Sequence, residues 1–106
     1  METSELKALY DAMVETDPDR IRFLELHNRS LPVVMRKQLF SAVARLYGAT
    51  YEQIGKYLHC GHSNVINSVK KAQGYISIYP AVKRRYYEIR EEFEFRTMGP
   101  PLWIAD

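Results

Sequence analysis

Apolar residues recur every three to four positions along most of this chain, and that spacing predicts helices. Alternating polar and apolar residues bounded by turn signals, which would indicate strands, are scarce. The helical pattern begins near residues 4, 18, 31, 51, 63 and 80 and ends near residues 15, 27, 47, 58, 73 and 95. We therefore predict an all-α fold of about six helices.

Residues that commonly begin or end helices support these ranges. Asp17–Pro18 and Ser30–Pro32 each combine a capping side chain with a proline at the helix start, where its missing N–H costs nothing. Thr50 is a further N-cap, while Gly48 and Gly74 are predicted to end the helices before them. The length allows one domain, in which residues 1–29 form a pair of helices, 30–95 the central region and 96–106 a tail.

The segment Thr50–Gln73 has the organisation of a helix-turn-helix. A short helix is followed by the turn His59–Gly61 and by a second helix, for which His62 or Ser63 is the expected cap. Gly55 lies in the first helix, where a small residue allows the two helices to cross closely. This segment predicts a motif that binds duplex DNA.

One face of the second helix carries short polar side chains and a lysine. Asn64, Asn67, Ser68 and Lys71 recur at helical spacing, with Ser63 beside them, whereas Val65, Ile66, Val69 and Ala72 form the opposite face. Asparagine can pair with adenine, and lysine reaches guanine or phosphate. We expect these five polar residues to contact bases. The alternative is that short polar residues are simply tolerated near a helix start.

Positive charge is concentrated in the middle of the chain, although the net charge is only +2. Residues 36–85 contain nine lysines and arginines and a single carboxylate, Glu52. Such asymmetry favours phosphate binding, although basic helix faces can also be merely solvated. The residues expected to contact the DNA backbone are Arg36, Lys37, Lys56, His62 and Lys70.

The sequence gives little support to other kinds of chemistry. His59, Cys60 and His62 occupy one turn and lack a fourth ligand at standard spacing, so we expect no metal and no other cofactor. Cys60 is the only cysteine and has no evident base beside it, and no catalytic motif is found, so we do not expect an enzyme. Without a signal peptide or a long apolar run, a cytoplasmic protein associated with the nucleoid is expected.

Residues Arg36–Gln73 resemble the C-terminal DNA-binding domain of DnaA, the bacterial replication initiator, whose fold is akin to that of the Trp repressor. The likeness includes Arg36–Gln38, Tyr51–Gly55 and, most closely, Gly61–Val65, which is similar to the signature that opens the recognition helix in that family. The resemblance implies base or phosphate contacts for His62, Ser63 and Asn64 and a place near a groove for Arg36. Cys60–Gly61 and Asn64 depart from the family pattern, so a different target sequence is implied.

The preferred interpretation is a DNA-binding regulator of replication or transcription, or a phage or mobile-element factor. The alternative is a helical adaptor for protein partners without DNA affinity. Its contact surface would combine the acidic segment Glu88–Glu94 with Leu102, Trp103 and Ile104, which are too apolar for a free tail. The same three residues are candidates for self-association. No membrane partner is expected.

Overall fold

A computed structural model of the chain describes residues 1–99, and these residues contain five helices and no strands. The all-helical prediction is therefore confirmed. The helices are α1 (Thr3–Thr16), α2 (Leu31–Leu46), α3 (Tyr51–Leu58), α4 (His62–Ile78) and α5 (Pro80–Met98). The predicted docking residues Leu102, Trp103 and Ile104 lie outside the described residues. No helix in residues 1–99 is both long enough and apolar enough to cross a membrane.

The predicted helix from residue 18 to residue 27 is wrong, so the described chain has five helices rather than six. Asp17 does act as a local cap, since its carboxylate accepts the backbone N–H groups of Asp19 at 3.0 Å and Ile21 at 3.3 Å. Arg20 has a φ of +51°, which a right-handed helix does not allow. An aspartate that bonds the amides two and four residues ahead stabilises a turn as readily as a helix, and here the turn is formed.

Burial of Phe23 gives the irregular segment its path. The Phe23 side chain is 1% exposed. Its ring centroid lies 5.0 Å from that of Tyr10 on α1 and 6.1 Å from that of Phe40 on α2, both in edge-to-face geometry. Packing of one aromatic ring between two helices therefore outweighs the weaker helical preference of residues 18–27. The predicted N-terminal pair of helices is one helix followed by an irregular segment.

The boundaries of α2 and α3 agree with the prediction. Ser30 is the N-cap residue of α2, with a proline in the first turn, although its hydroxyl makes no capping hydrogen bond. Gly48 has a φ of +99° and ends α2 in the left-handed conformation that glycine adopts without strain. Thr50 and Gln53 form a reciprocal capping box at the start of α3.

Helix α4 does not end at Gly74 as predicted but continues to Ile78. A glycine inside a helix costs about 1 kcal/mol, which packing of Ile76 against the core offsets. The helix ends where Pro80 restricts the preceding residue, since Tyr79 has the extended φ and ψ values of −104° and 112°. Helix α5 then runs to Met98, three residues beyond the predicted end.

All five helices contribute to one apolar core, with α2 at its centre. Helix α2 packs extensively against α4, and α1 packs against α5. Val43 of α2, Ile54 of α3 and Val65 of α4 are fully buried. The inner face of α4 is therefore fixed on α2 and α3, and this arrangement determines which of its residues face outward.

Candidate nucleic-acid interface

Helices α3 and α4 are joined by a tight three-residue turn. The N–H of Cys60 donates to the carbonyl of Gly55 at 2.9 Å, and the N–H of His59 donates to the carbonyl of Lys56 at 3.4 Å. His59 has a φ of +58°, so these bonds form a Schellman-type helix end with a histidine at the left-handed position. The turn is thus defined by backbone hydrogen bonds.

Gly55 is required by the close approach of this turn to α3. A Cβ atom at position 55 would lie 2.8 Å from the carbonyl oxygen of Cys60 and 3.6 Å from a methyl group of Val65. The first distance is well below van der Waals contact and involves a backbone atom, which cannot rotate away. The expectation that a small residue at position 55 allows a close crossing agrees with this geometry.

The two faces of α4 differ sharply in exposure. Val65, Val69 and Ala72 are buried, and Ile66, predicted to be buried with them, is partly exposed. On the other side, Ser63, Asn64, Asn67 and Lys71 are exposed and Ser68 is partly exposed. We call these five residues the α4 stripe. Within residues 1–99, no side chain of the stripe makes a hydrogen bond or an ion pair.

The start of α4 is not capped by a side chain. Gly61 is the N-cap residue, rather than His62 or Ser63 as predicted, and it has no side chain that could accept a hydrogen bond. The first α-helical hydrogen bond is donated by the N–H of Val65 to the carbonyl of Gly61 at 3.2 Å. The N–H groups before Val65 therefore lie at the positive end of the helix dipole without helical acceptors. Gly61 and His62 also line a depression of about 520 Å³, together with Tyr51 and Lys56 of α3.

Three of the residues that were predicted to contact the DNA backbone lie on the surface around the stripe. His62 is exposed at the first position of α4, and Lys70 is exposed on the flank of the same helix. Lys56 on α3 is exposed as well, and its Nζ lies 3.7 Å from Glu52 one turn earlier. That ion pair is open to solvent, so it holds Lys56 only weakly.

Lys37 is partly buried and faces the turn between α3 and α4. Burial raises the pKa of the nearby Cys60 thiol, and the charge of Lys37 acts in the opposite direction without reversing that increase. A nucleophilic cysteine requires a lowered pKa. The electrostatics of Cys60 therefore do not favour a reactive thiolate.

No group of three or more His, Cys, Asp or Glu side chains within residues 1–99 could hold a metal ion.

Arg36 is bound to another part of the protein. Its Nε and Nη2 atoms donate to the two carboxylate oxygens of Asp17 at 2.6 and 3.0 Å, and its Nη1 donates to the carbonyl of Pro32 at 3.0 Å. The Asp17 side chain is only 2% exposed. The guanidinium thus joins α2 to the irregular segment, an arrangement that differs from the groove position implied by the family resemblance.

Arg45 was not among the predicted contacts, yet it lies beside the start of α4. Its guanidinium carbon is 4.7 Å from the centroid of the Tyr51 ring, and Nη1 donates to the carbonyl of Ala49 at 3.2 Å. The Tyr51 ring is in turn 5.6 Å from the His62 ring. Arg45 is exposed and has no ion-pair partner in the described part of the chain. Its charge was visible in the sequence, but its proximity to α4 depends on how α2 packs against α3.

The comparisons with known proteins give no family assignment. No protein-family model matches the chain, and neither a curated protein nor a solved structure matches it significantly.

Proposed function

We propose that this chain binds duplex DNA by placing the N-terminal half of α4 in the major groove. The observation that carries the proposal is the α4 stripe, whose donors and acceptors remain unused within residues 1–99 while the opposite face is packed into the core. An α-helix fits the major groove, where base edges present a distinct pattern of donors and acceptors for each base pair. The proposed protein is a binding module and not an enzyme.

The stripe has side chains suited to distinguishing bases. Asn64 and Asn67 can each donate and accept one hydrogen bond with adenine, and Lys71 can donate to guanine. Ser63 and Ser68 have hydroxyl groups that can donate or accept. Because these side chains have no competing partners in the described chain, binding DNA would not require any internal hydrogen bond to be broken.

The surroundings of the stripe provide the proposed phosphate contacts. His62, Lys56 and Lys70 are exposed next to it, and the uncapped amides at the start of α4 favour negative charge. We add Arg45, which the Tyr51 ring holds beside the same helix end. Lys37 is a weaker candidate for a phosphate contact because its side chain is partly buried. We leave out Arg36, since its donors already bind Asp17 and a backbone carbonyl.

The biological role in this proposal is regulation of replication or transcription, or a function in a phage or mobile element. The resemblance of Arg36–Gln73 to the DNA-binding domain of DnaA supports a module that reads duplex DNA with a Trp-repressor-like helix-turn-helix. Such a module would act at the nucleoid in the cytoplasm. The differences at Cys60–Gly61 and Asn64 imply a target other than a standard initiator site.

A mobility-shift experiment with random duplex DNA tests the proposal. At about 50 mM salt we expect a complex, and its affinity should fall steeply towards about 200 mM salt because phosphate binding releases counterions. Lys70→Ala should weaken binding to every sequence and reduce the salt slope by about one unit. The matched control is Lys7→Ala, because Lys7 is an exposed lysine paired to Asp11 on α1. Absence of binding by the wild-type chain at the lower salt concentration would refute the proposal.

The second candidate function is the protein-binding adaptor. It is favoured by apolar side chains that remain on the surface, among them Ile78 at 69% and Tyr79 at 53% exposure. The same experiment discriminates the two functions, since an adaptor without DNA affinity gives no shift at low salt. Selection from a randomised duplex pool would then identify the target sequence if the DNA proposal holds.

A further inference from the structure

A pocket of about 600 Å³ is lined by the irregular segment, by α2 and by the end of α3. Four of its side chains can donate hydrogen bonds to an anion, namely His27, Lys37, Lys56 and His59. The rest of the lining is apolar or aromatic and consists of Leu24, Tyr57 and Leu58. The volume is in the range of sites that bind small molecules.

Core packing fixes the walls of this pocket. Phe23, the residue before Leu24, is buried, and its ring lies 6.1 Å from that of Phe40 on α2. The ring of Phe40 in turn stacks on that of Tyr57, with centroids 5.6 Å apart and planes inclined by 12°. One aromatic chain therefore connects the irregular segment, α2 and α3, so the pocket is formed before any ligand binds.

The pocket has an excess of positive charge. No carboxylate within residues 1–99 lines it. Three carboxylates in its neighbourhood, Asp11, Glu25 and Glu52, each lie beside a cation, at 2.9, 2.9 and 3.7 Å. Only the last of these pairs involves a cation of the pocket, Lys56, and both partners are more than 70% exposed, so the pair is weak.

Lys37 is the cation of the pocket that lacks a partner. Its side chain is partly buried, yet its ammonium group makes no hydrogen bond and no ion pair within residues 1–99. The end of α3 offers it little, since the carbonyls of Gly55 and Lys56 already accept backbone N–H groups. Partial burial of an ammonium group without an acceptor is unfavourable, and an anion in the pocket would supply the acceptor.

We propose that this pocket binds the phosphate group of a small phosphorylated molecule. A phosphomonoester carries about two negative charges at neutral pH and has three acceptor oxygens, which suit two lysines and the N–H groups of His27 and His59. The apolar part of the lining would contact the organic part of the ligand. Because the pocket is recessed and Lys37 is partly buried, a small molecule reaches it more readily than the backbone of a stiff duplex.

Titration of the chain with AMP, followed by amide chemical shifts in NMR, tests the proposal. Saturable changes are expected at residues 24–27, 37 and 56–59, with a Kd of about 1 mM or below. Adenosine, which lacks the phosphate, should bind roughly tenfold more weakly. Sodium chloride at matched ionic strength should give no saturable change. Absence of saturable changes at the pocket, or equal binding of AMP and adenosine, would overturn the proposal.

Substitutions separate this pocket from other basic surfaces. Lys37→Met keeps an apolar stem, removes the charge and should weaken AMP binding roughly tenfold. The matched control is Lys83→Met, because Lys83 is an exposed lysine of α5 that does not line the pocket. Circular dichroism checks that both variants are folded. His27→Ala, at an exposed position of the irregular segment, tests the site independently of Lys37 and should weaken binding about threefold. Wild-type affinity in the folded variants of Lys37 or His27 would overturn the proposal.

Titration with duplex DNA distinguishes the two sources of phosphate. The amide signals of Leu24 and His27 should respond to AMP and remain unchanged with the duplex. A response of both signals to the duplex would assign the pocket to the DNA backbone and would overturn the choice of a small molecule. The AMP titration contains no DNA, so its failure is distinct from failure of the proposed DNA binding.

Discussion

The polar groups around Asp17 and those of the α4 stripe use their hydrogen-bonding capacity in opposite ways. Asp17 is buried, and its two oxygens accept bonds from Arg36 and from two backbone N–H groups. The stripe is largely exposed, and its side chains have no partners within residues 1–99. The first group holds the fold together, whereas the second remains available to a ligand.

This difference shows why a count of basic residues overstates the charge available to DNA. Arg36 and Arg85 belong to the nine positive residues of the central segment, but both guanidinium groups bind other parts of the protein. Lys70 and Lys71 are exposed and have no ion-pair partner in the described chain. Stability should therefore depend on the Asp17 cluster and DNA binding on the stripe.

Asp17→Ala is expected to have the largest effect. It removes the partner of a partly buried arginine and two backbone hydrogen bonds, so the free energy of unfolding should fall by about 2–4 kcal/mol. Denaturant unfolding measures this change. The matched control is Asp19→Ala, since Asp19 is 76% exposed and lies 3.7 Å from the same guanidinium; its effect should stay below about 1 kcal/mol. Equal effects of the two substitutions would contradict a structural role for the buried pair.

The contribution of Asp17 should also depend on pH. Burial alone would raise the pKa of this carboxyl, but its bonds to Arg36 and to backbone amides outweigh burial and hold the pKa below its ordinary value of 3.8. The stabilisation is therefore complete above the unfolded pKa and is lost as the pH falls through the lower folded value. Asp17→Asn should lack this part of the acid dependence, and identical acid profiles for the two chains would refute the assignment.

Gly55→Ala tests how the stripe is held outward. The new Cβ would lie 2.8 Å from the carbonyl oxygen of Cys60, so α3 and the turn must separate, at a cost of about 1–3 kcal/mol. Thermal or denaturant unfolding measures the loss. A variant as stable as wild type would show that the turn adapts easily and that the orientation of α4 is less fixed than described.

Asn67→Ala should affect recognition and leave folding nearly unchanged. We expect discrimination against a mismatched base at one position to fall by about 1–3 kcal/mol, because one paired hydrogen-bonding contact is removed. Binding of selected and single-mismatch duplexes measures this difference. Gln73→Ala is the matched control, because Gln73 is an exposed amide on another side of α4. Loss of discrimination in both variants would contradict the assignment of the stripe.

Gly74→Ala should change stability in the favourable direction. Position 74 lies inside α4, and a Cβ there would have no neighbour within 4 Å. Alanine should therefore stabilise the chain by about 0.5–1 kcal/mol through helix propensity and a more restricted unfolded state. A destabilised variant would indicate that α4 ends near Gly74, as the sequence alone suggested.

The smallest expected effect is that of Arg36→Ala on DNA binding. Under conditions where the variant is folded, the salt slope should equal that of wild type, because the guanidinium is bound to Asp17. A slope reduced by about one unit, as expected for Lys70→Ala, would show that Arg36 contacts phosphate. The polar groups around Asp17 would then no longer differ from the α4 stripe in their availability to DNA.

Local signals in the sequence were sufficient to predict most helices but not the partners of individual side chains. Thr50 and Gly48 act through neighbouring residues, so their roles at α3 and α2 could be read directly. The irregular segment after Asp17 depends on burial of Phe23 among rings of two helices, which no local pattern reveals. The same limit applies to the candidate interface, where exposure of the stripe followed from helical spacing but the partners of Arg36 and Arg45 depended on tertiary packing.

Amide chemical shifts measured by NMR during titration with a selected duplex test the central claim most directly. The largest changes should fall on residues 61–71, with further changes at Arg45 and Tyr51, while Asp17 and the segment that follows it remain unaffected. Changes centred on Asp17 or on α1 and α5, with the first turns of α4 unaltered, would contradict recognition by α4.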